Sequence, residues 1–120
     1  SKNGHFEIVK YLIDLGANAN IQNRDHGTPL HIASVKGYPE IVKYLVNSGA
    51  NANLQNRYHE TPLFIASKNG HFEIVKYLID LGANPGVRNK FYDTPLSIAY
   101  RKGHSEIIEY LENNNSSENI

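Results

Sequence analysis

Apolar positions in this chain fall in short helical clusters separated by glycines, and the same order of clusters returns every 33 residues. Between Asn23 and Gln55, the residues Leu30, Ile32 and Ala33 mark the apolar side of one short helix. Ile41, Val42, Leu45 and Val46 then recur at the spacing of one face of a second. Thr28 is placed to cap the first helix, with Pro29 at its first position, where a missing N–H costs nothing. Gly37 follows as a residue that can take positive φ and stop it. The second helix opens near Tyr38, tolerates Pro39 in its first turn, and closes at Gly49. Gly4, Gly70 and Gly103 repeat the first stop, and Gly16 and Gly82 repeat the second. The pattern predicts an all-α chain of paired short helices.

Thr-Pro-Leu stands at 28–30, 61–63 and 94–96, and residues 1–18 are identical to residues 67–84. The identity includes outward positions such as Lys10 and Lys76, or Asp14 and Asp80, which packing does not dictate, so it reads as recent copying. Helices this short are marginal alone in water, and their stability has to come from stacking on neighbouring units. Ala33, Ala66 and Ala99, one per unit at the same place, leave room for that close approach. An array of this kind grows an extended face rather than a pocket, which argues for binding over catalysis.

The run Thr-Pro-Leu-x-x-Ala-x-x-x-Gly, then Glu-Ile-Val-Lys-Tyr-Leu, then Gly-Ala-Asn resembles the ankyrin repeat, over residues 1 to 115. The resemblance implies an all-α solenoid of stacked helix-turn-helix units. It also implies β-turn fingers, which fall at Arg24–Gly27, Arg57–Glu60 and Lys90–Asp93. The chain then divides into a partial repeat, 1–22, lacking its first helix, repeats 23–55 and 56–88, and a capping repeat, 89–115. Glu112 stands where Ile13, Val46 and Ile79 are apolar, giving the polar outer face that a terminal unit requires. Residues 116–120 have the composition of a disordered tail. Ser1 aligns with Ser34 and Ser67, so the expectation is a piece of a longer array, monomeric as it stands. The alternative is self-association through the truncated amino-terminal end.

Composition fits a small core, with 40% hydrophobic residues in 120. The absence of cysteine rules out a disulfide framework or a thiolate metal site. No apolar run approaches the roughly 20 residues of a membrane span, so no membrane partner is expected. Six histidines invite a chemical reading, but His5, His71 and His104 share one place after the helix-stopping glycine. His31 matches the position at which the resembled family bridges backbone groups between units, a position held next by Phe64 and Ser97. His26 and His59 lie at fingertips with no third ligand at metal spacing. Phosphate-loop, H-E-x-x-H and G-x-S-x-G patterns do not occur. No catalytic residue, metal or cofactor is expected.

Twelve cations balance twelve acids, but their distribution is uneven. If the implied geometry holds, fingers and first helices carry nine of the cations, among them Lys2, Arg88 and Lys102, against Asp25, Glu60 and Asp93. Helix dipoles explain part of this, with lysines ending first helices and acids opening second ones. They do not explain Arg24, Arg57 and Lys90, which repeat one fingertip position in successive units. Tyr58, Phe91 and Tyr92 lie beside them, and aromatics next to arginine are the residue types that dominate interface energetics. Phe91 or Tyr92 leaning back onto the next finger is the competing reading.

The units differ most in these tips, so the expected contact set is Arg24, Asp25, Lys36, Arg57, Tyr58, Glu60, Lys68, Lys90, Phe91, Asp93 and Arg101. The expected function is a non-catalytic protein-protein interaction module whose partner is acidic. The alternatives are a regulatory segment of a larger enzyme, channel or effector, and a weak polyanion or nucleic-acid binder using the basic stripe.

Overall fold

A computed structural model of the chain describes residues 27–118, with side chains described as far as residue 113. The first partial unit, including His5, and the first fingertip, with Arg24, Asp25 and His26, lie outside these residues. Six helices follow in order: α1 (Pro29–Lys36), α2 (Pro39–Asn47), α3 (Pro62–Asn69), α4 (Phe72–Asp80), α5 (Pro95–Lys102) and α6 (Ser105–Glu118). The shorter helices α1, α3 and α5 pack side by side as one layer. Helices α2, α4 and α6 form the second layer, each against its own partner in the first. No strand occurs among the described residues.

Each inner helix begins and ends by local chemistry. Thr28, Thr61 and Thr94 hold extended backbone at the N-cap, and each hydroxyl accepts the N–H three residues on. Proline follows each of them at the first helical position. At the far end Gly37, Gly70 and Gly103 take φ of 78°, 78° and 77°, turning the chain into the outer helix. Inside the helices, Ser34 and Ser67 donate their hydroxyls to the carbonyls of Leu30 and Leu63, both at 2.8 Å. A serine can therefore be buried here without an unpaired group.

The core lies between the two layers and runs continuously through the units. Leu30, Leu63, Ile74, Val75, Leu78, Ile107 and Leu111 are at most 1% exposed, and Ala33, Ala66 and Ala99 bring neighbouring helices close. The outer layer is tied laterally as well. The Lys43 ammonium sits 5.7 Å above the Tyr77 ring, and Tyr110 donates its hydroxyl to Asp80 while meeting Phe72 edge-on. Those outer aromatics hold one unit to the next.

Two expectations change. Ile32, placed on the apolar side of its helix by the helical period, is 51% exposed, whereas Ile65 and Ile98 at the same place are 4% and 5% exposed. Ile65 and Ile98 each lie on a helix with an inner helix before it, while among the described residues α1 has an inner neighbour only in α3. Period identifies a helix face but not what covers it. The last helix also continues to Glu118, so residues 116–118 are helical rather than part of a disordered tail. Asn113 to Ser117 contain no glycine or proline, and such polar residues weaken a helix without stopping it.

Candidate functional site

The fingers are built on a repeated asparagine. The Asn56 side-chain oxygen accepts the N–H groups of Tyr58 and Glu60, at 2.9 and 3.0 Å, while its backbone N–H donates to the Glu60 carbonyl. Asn89 does the same for Phe91 and Asp93, both at 2.9 Å, and donates to the Asp93 carbonyl. The side chain thus closes an Asx turn that fixes the loop without a hydrophobic core of its own. The Lys90 N–H then donates to the Tyr58 carbonyl at 3.0 Å, joining one finger to the next. Sequence reasoning missed these asparagines as organisers, although Asn23, Asn56 and Asn89 recur at the unit spacing.

One consequence of the turn is backbone strain at its tip. His59 and Tyr92 adopt φ of 62° and 65°, the left-handed region that favours glycine. A residue with a Cβ there costs roughly 1–2 kcal/mol. Tyr92 is nonetheless 78% exposed and its neighbour Phe91 73%, so neither ring is recovered by internal packing. Both rings project outward rather than lean onto the neighbouring finger. Tyr58, also exposed, carries the Arg57 guanidinium 5.7 Å over its ring. Arg57 and Lys90 are exposed on successive fingertips, and Lys36 and Lys68 are exposed at the ends of α1 and α3.

Among the described residues of the expected contact set, Glu60, Asp93 and Arg101 make side-chain hydrogen bonds within the molecule, in addition to the Arg57–Tyr58 contact. The Glu60 carboxylate accepts from the Asn56 amide at 3.1 Å. Asp93 accepts the Ser97 hydroxyl at 3.1 Å and pairs with the Arg101 guanidinium. Each acid is the last residue of its finger, directly before the capping threonine, which brings it within reach of groups that hold the finger on its helix. Arg101 keeps part of its side chain in solvent, but its charge is matched by Asp93.

Between the Asn56–Glu60 finger and helices α1 and α3 lies a groove of about 320 Å³. Val35 and Ile32 from α1, Tyr58 from the finger, and Ile65 and Lys68 from α3 line it. Sequence reasoning missed Val35, which occupies the register held by Lys2, Lys68 and Arg101 in the other units. That comparison was the available signal.

The described histidines other than His59 join units. Nδ1 of His31 accepts the Thr28 N–H at 3.1 Å, which leaves the proton on Nε2, and Nε2–H donates to the Glu60 carbonyl of the next unit at 2.9 Å. His71 donates from Nε2 to the Val35 carbonyl across that same junction, at 3.0 Å, and His104 to the Lys68 carbonyl across the next one, at 3.1 Å. Among the described residues no group of three or more acids and histidines is placed to hold a metal ion. No described helix is long and apolar enough to cross a membrane.

Burial holds the His31 imidazole below its ordinary pKa, while its bond to the Glu60 carbonyl pulls the other way. The folded state therefore prefers neutral His31. Its contribution to stability is complete above the ordinary value of 6.5 and is lost as pH falls below it. Urea-unfolding midpoints between pH 7.5 and pH 5 are expected to fall more steeply for the native chain than for His31→Phe, which installs the residue carried by the next unit. Equal slopes would show that His31 is not a source of acid sensitivity.

Tyr100 donates its hydroxyl to the Glu112 carboxylate, which raises the phenol above its ordinary pKa and ties α5 to α6.

Residues 1–89 match a family model described as ankyrin repeats (3 copies), and residues 70–112 match one described as ankyrin repeats (many copies). A search of curated proteins found no match to the chain. Capped helix pairs in two layers, joined through imidazoles and fronted by clamped turns, are the form these matched repeats take here. The chain belongs to the ankyrin repeat family, whose members are typically non-catalytic and whose repeats generally serve as protein–protein interaction modules.

Proposed function

We propose that this array recognises an acidic protein segment through its fingertips and inner-helix face, without performing chemistry of its own. The observation that carries the reading is the pair of strained tips. Tyr92 keeps a bulky side chain in a conformation that favours glycine, and the residue is 78% exposed. Packing gives no return for that strain, whereas a bound partner does. Aromatic rings beside arginine and lysine are suited to the apolar centre and charged rim of an interface. Arg57 and Lys90 on the tips, with Lys36 and Lys68 on the helices below, set the sign of the preferred partner.

Selection of displayed random peptides on the full chain provides a partner with which to test this. Tyr92→Gly is expected to raise unfolding stability by about 0.5–1 kcal/mol, since relief of left-handed strain outweighs the added freedom of glycine in the unfolded chain. The same variant is expected to lower affinity for the selected acidic peptides by about ten-fold, the loss of one moderate hot spot. Unchanged affinity would remove the functional reading of the tip. Tighter binding to an oligothymidylate than to any peptide, collapsing with added salt, would favour a polyanion partner instead.

A further inference from the structure

The groove beneath the Asn56–Glu60 finger differs from the rest of the inner face in one residue. At the register of Val35, the other units carry Lys2, Lys68 and Arg101, so a row of cations is interrupted once by an apolar side chain. Val35 is about half exposed and lines the groove together with buried Ile65, half-exposed Tyr58 and exposed Lys68. Ile32 extends the apolar wall. The volume of about 320 Å³ is at the small end for a ligand pocket, which suits one or two side chains rather than a whole small molecule.

We infer that this groove is an anchor site for one large aliphatic or aromatic side chain of the partner, presented within an acidic segment. The inference rests on the proposed interaction function and adds to it the partner's pattern. Charge complementarity selects the acidic flanks. Lys36 and Lys68 are exposed on the two helices that wall the groove, and Arg57 stands on the finger above it. Glu60 also lines the groove, but its carboxylate is held by the Asn56 amide, whereas Lys68 in the same lining is exposed. The apolar break at Val35 then sets where the anchor falls between acids. A wholly acidic segment would leave Val35, Ile32 and the Tyr58 ring against charged groups, and a wholly apolar one would leave the lysines uncompensated.

The deciding variant is Val35→Lys, which gives this unit the cation its neighbours carry. It keeps the positive field, so any loss of affinity for an acidic peptide comes from the lost apolar contact rather than from charge. Its side chain is on the surface, and the Val35 carbonyl that receives His71 is unaffected, so an unchanged thermal transition is expected. Peptides selected on the native full chain from a random display library should carry one large apolar residue flanked by Asp or Glu. Val35→Lys should weaken the best of them at least ten-fold, as expected for withdrawing one buried apolar side chain. Replacing the peptide's apolar residue by alanine should give a similar loss on the native chain and little further loss on the variant.

Selected peptides without that pattern, or affinity within two-fold for Val35→Lys, would overturn the anchor site. If Val35→Lys is silent while Tyr92→Gly weakens binding, the anchor fails and the fingertip reading stands. If neither variant alters binding of the selected peptides, both fail.

Discussion

Gly37→Ala is expected to lower the unfolding free energy by about 3–4 kcal/mol, while the same change at Gly103 costs about 1–2 kcal/mol. Both glycines end an inner helix with nearly the same φ, 78° and 77°, so the left-handed penalty is common to them. They differ in their surroundings. A methyl group at Gly37 would lie 2.5 Å from Cε1 of His71, whereas one at Gly103 meets nothing within 4 Å. The His71 ring cannot yield without giving up its bond to the Val35 carbonyl, which joins one unit to the next. The difference between the two variants therefore isolates the imidazole bridge. Urea titration of both variants measures it, and His71→Ala combined with Gly37→Ala should recover part of the loss as a coupling energy. Equal costs at the two glycines would show that the ring is not structurally engaged. Against a total stability of about 5–15 kcal/mol, the larger value would leave the array close to unfolding.

Phe64→Ala is expected to cost about 3–5 kcal/mol, the range for removing a buried aromatic ring from a packed core. The ring is 2% exposed and occupies the position that His31 fills in the unit before and Ser97 in the unit after. His31 and Ser97 each return a side-chain acceptor to the N–H of their capping threonine; in α3 only the forward bond from Phe64 N–H to Thr61 is made. The middle unit has thus exchanged a polar bridge for volume, and its stability depends on filling that volume. Ile32→Ala provides the contrast, with an expected change of less than about 0.5 kcal/mol for a half-exposed side chain. Thermal or urea unfolding of both variants distinguishes these cases, and a large loss at Ile32 would contradict the exposure assigned to it.

Local chemistry was legible in the residues themselves. Thr28, Thr61 and Thr94 before proline, and Gly37, Gly70 and Gly103 after the last apolar position, mark helix ends because the atoms that cap a helix lie within a few residues of one another. Repetition then implied stacking, since helices this short cannot stand alone. What depended on neighbours was not legible. Ile32 shares its helical phase with Ile65 and differs only in what lies beside it. Asp93 and Arg101 form a pair through the way a finger folds back on a helix, which spacing alone does not show. The outward course of Phe91 and Tyr92 was open from sequence, because a ring on a turn can pack in either direction. Asn56 and Asn89 were visible as a repeat, but their role requires knowing that each side chain closes its own turn.

The same limit applies to charge. The basic excess of the fingers and inner helices could be counted, but Arg101 is matched by Asp93, while Arg57 lies over the Tyr58 ring. The outer layer uses Tyr77 and Tyr110 to join units, and the fingertips leave Phe91 and Tyr92 in solvent. Similar residue types therefore serve cohesion in the outer layer and stand exposed at the fingertips.

Amide chemical-shift mapping of the full chain on addition of a selected acidic peptide tests that division most directly. Shifts are expected to concentrate at residues 57–59 and 90–92 and along α1, α3 and α5. Shifts confined to α2, α4 and α6, around Lys43, Tyr77 and Tyr110, would contradict recognition through the fingers and inner helices.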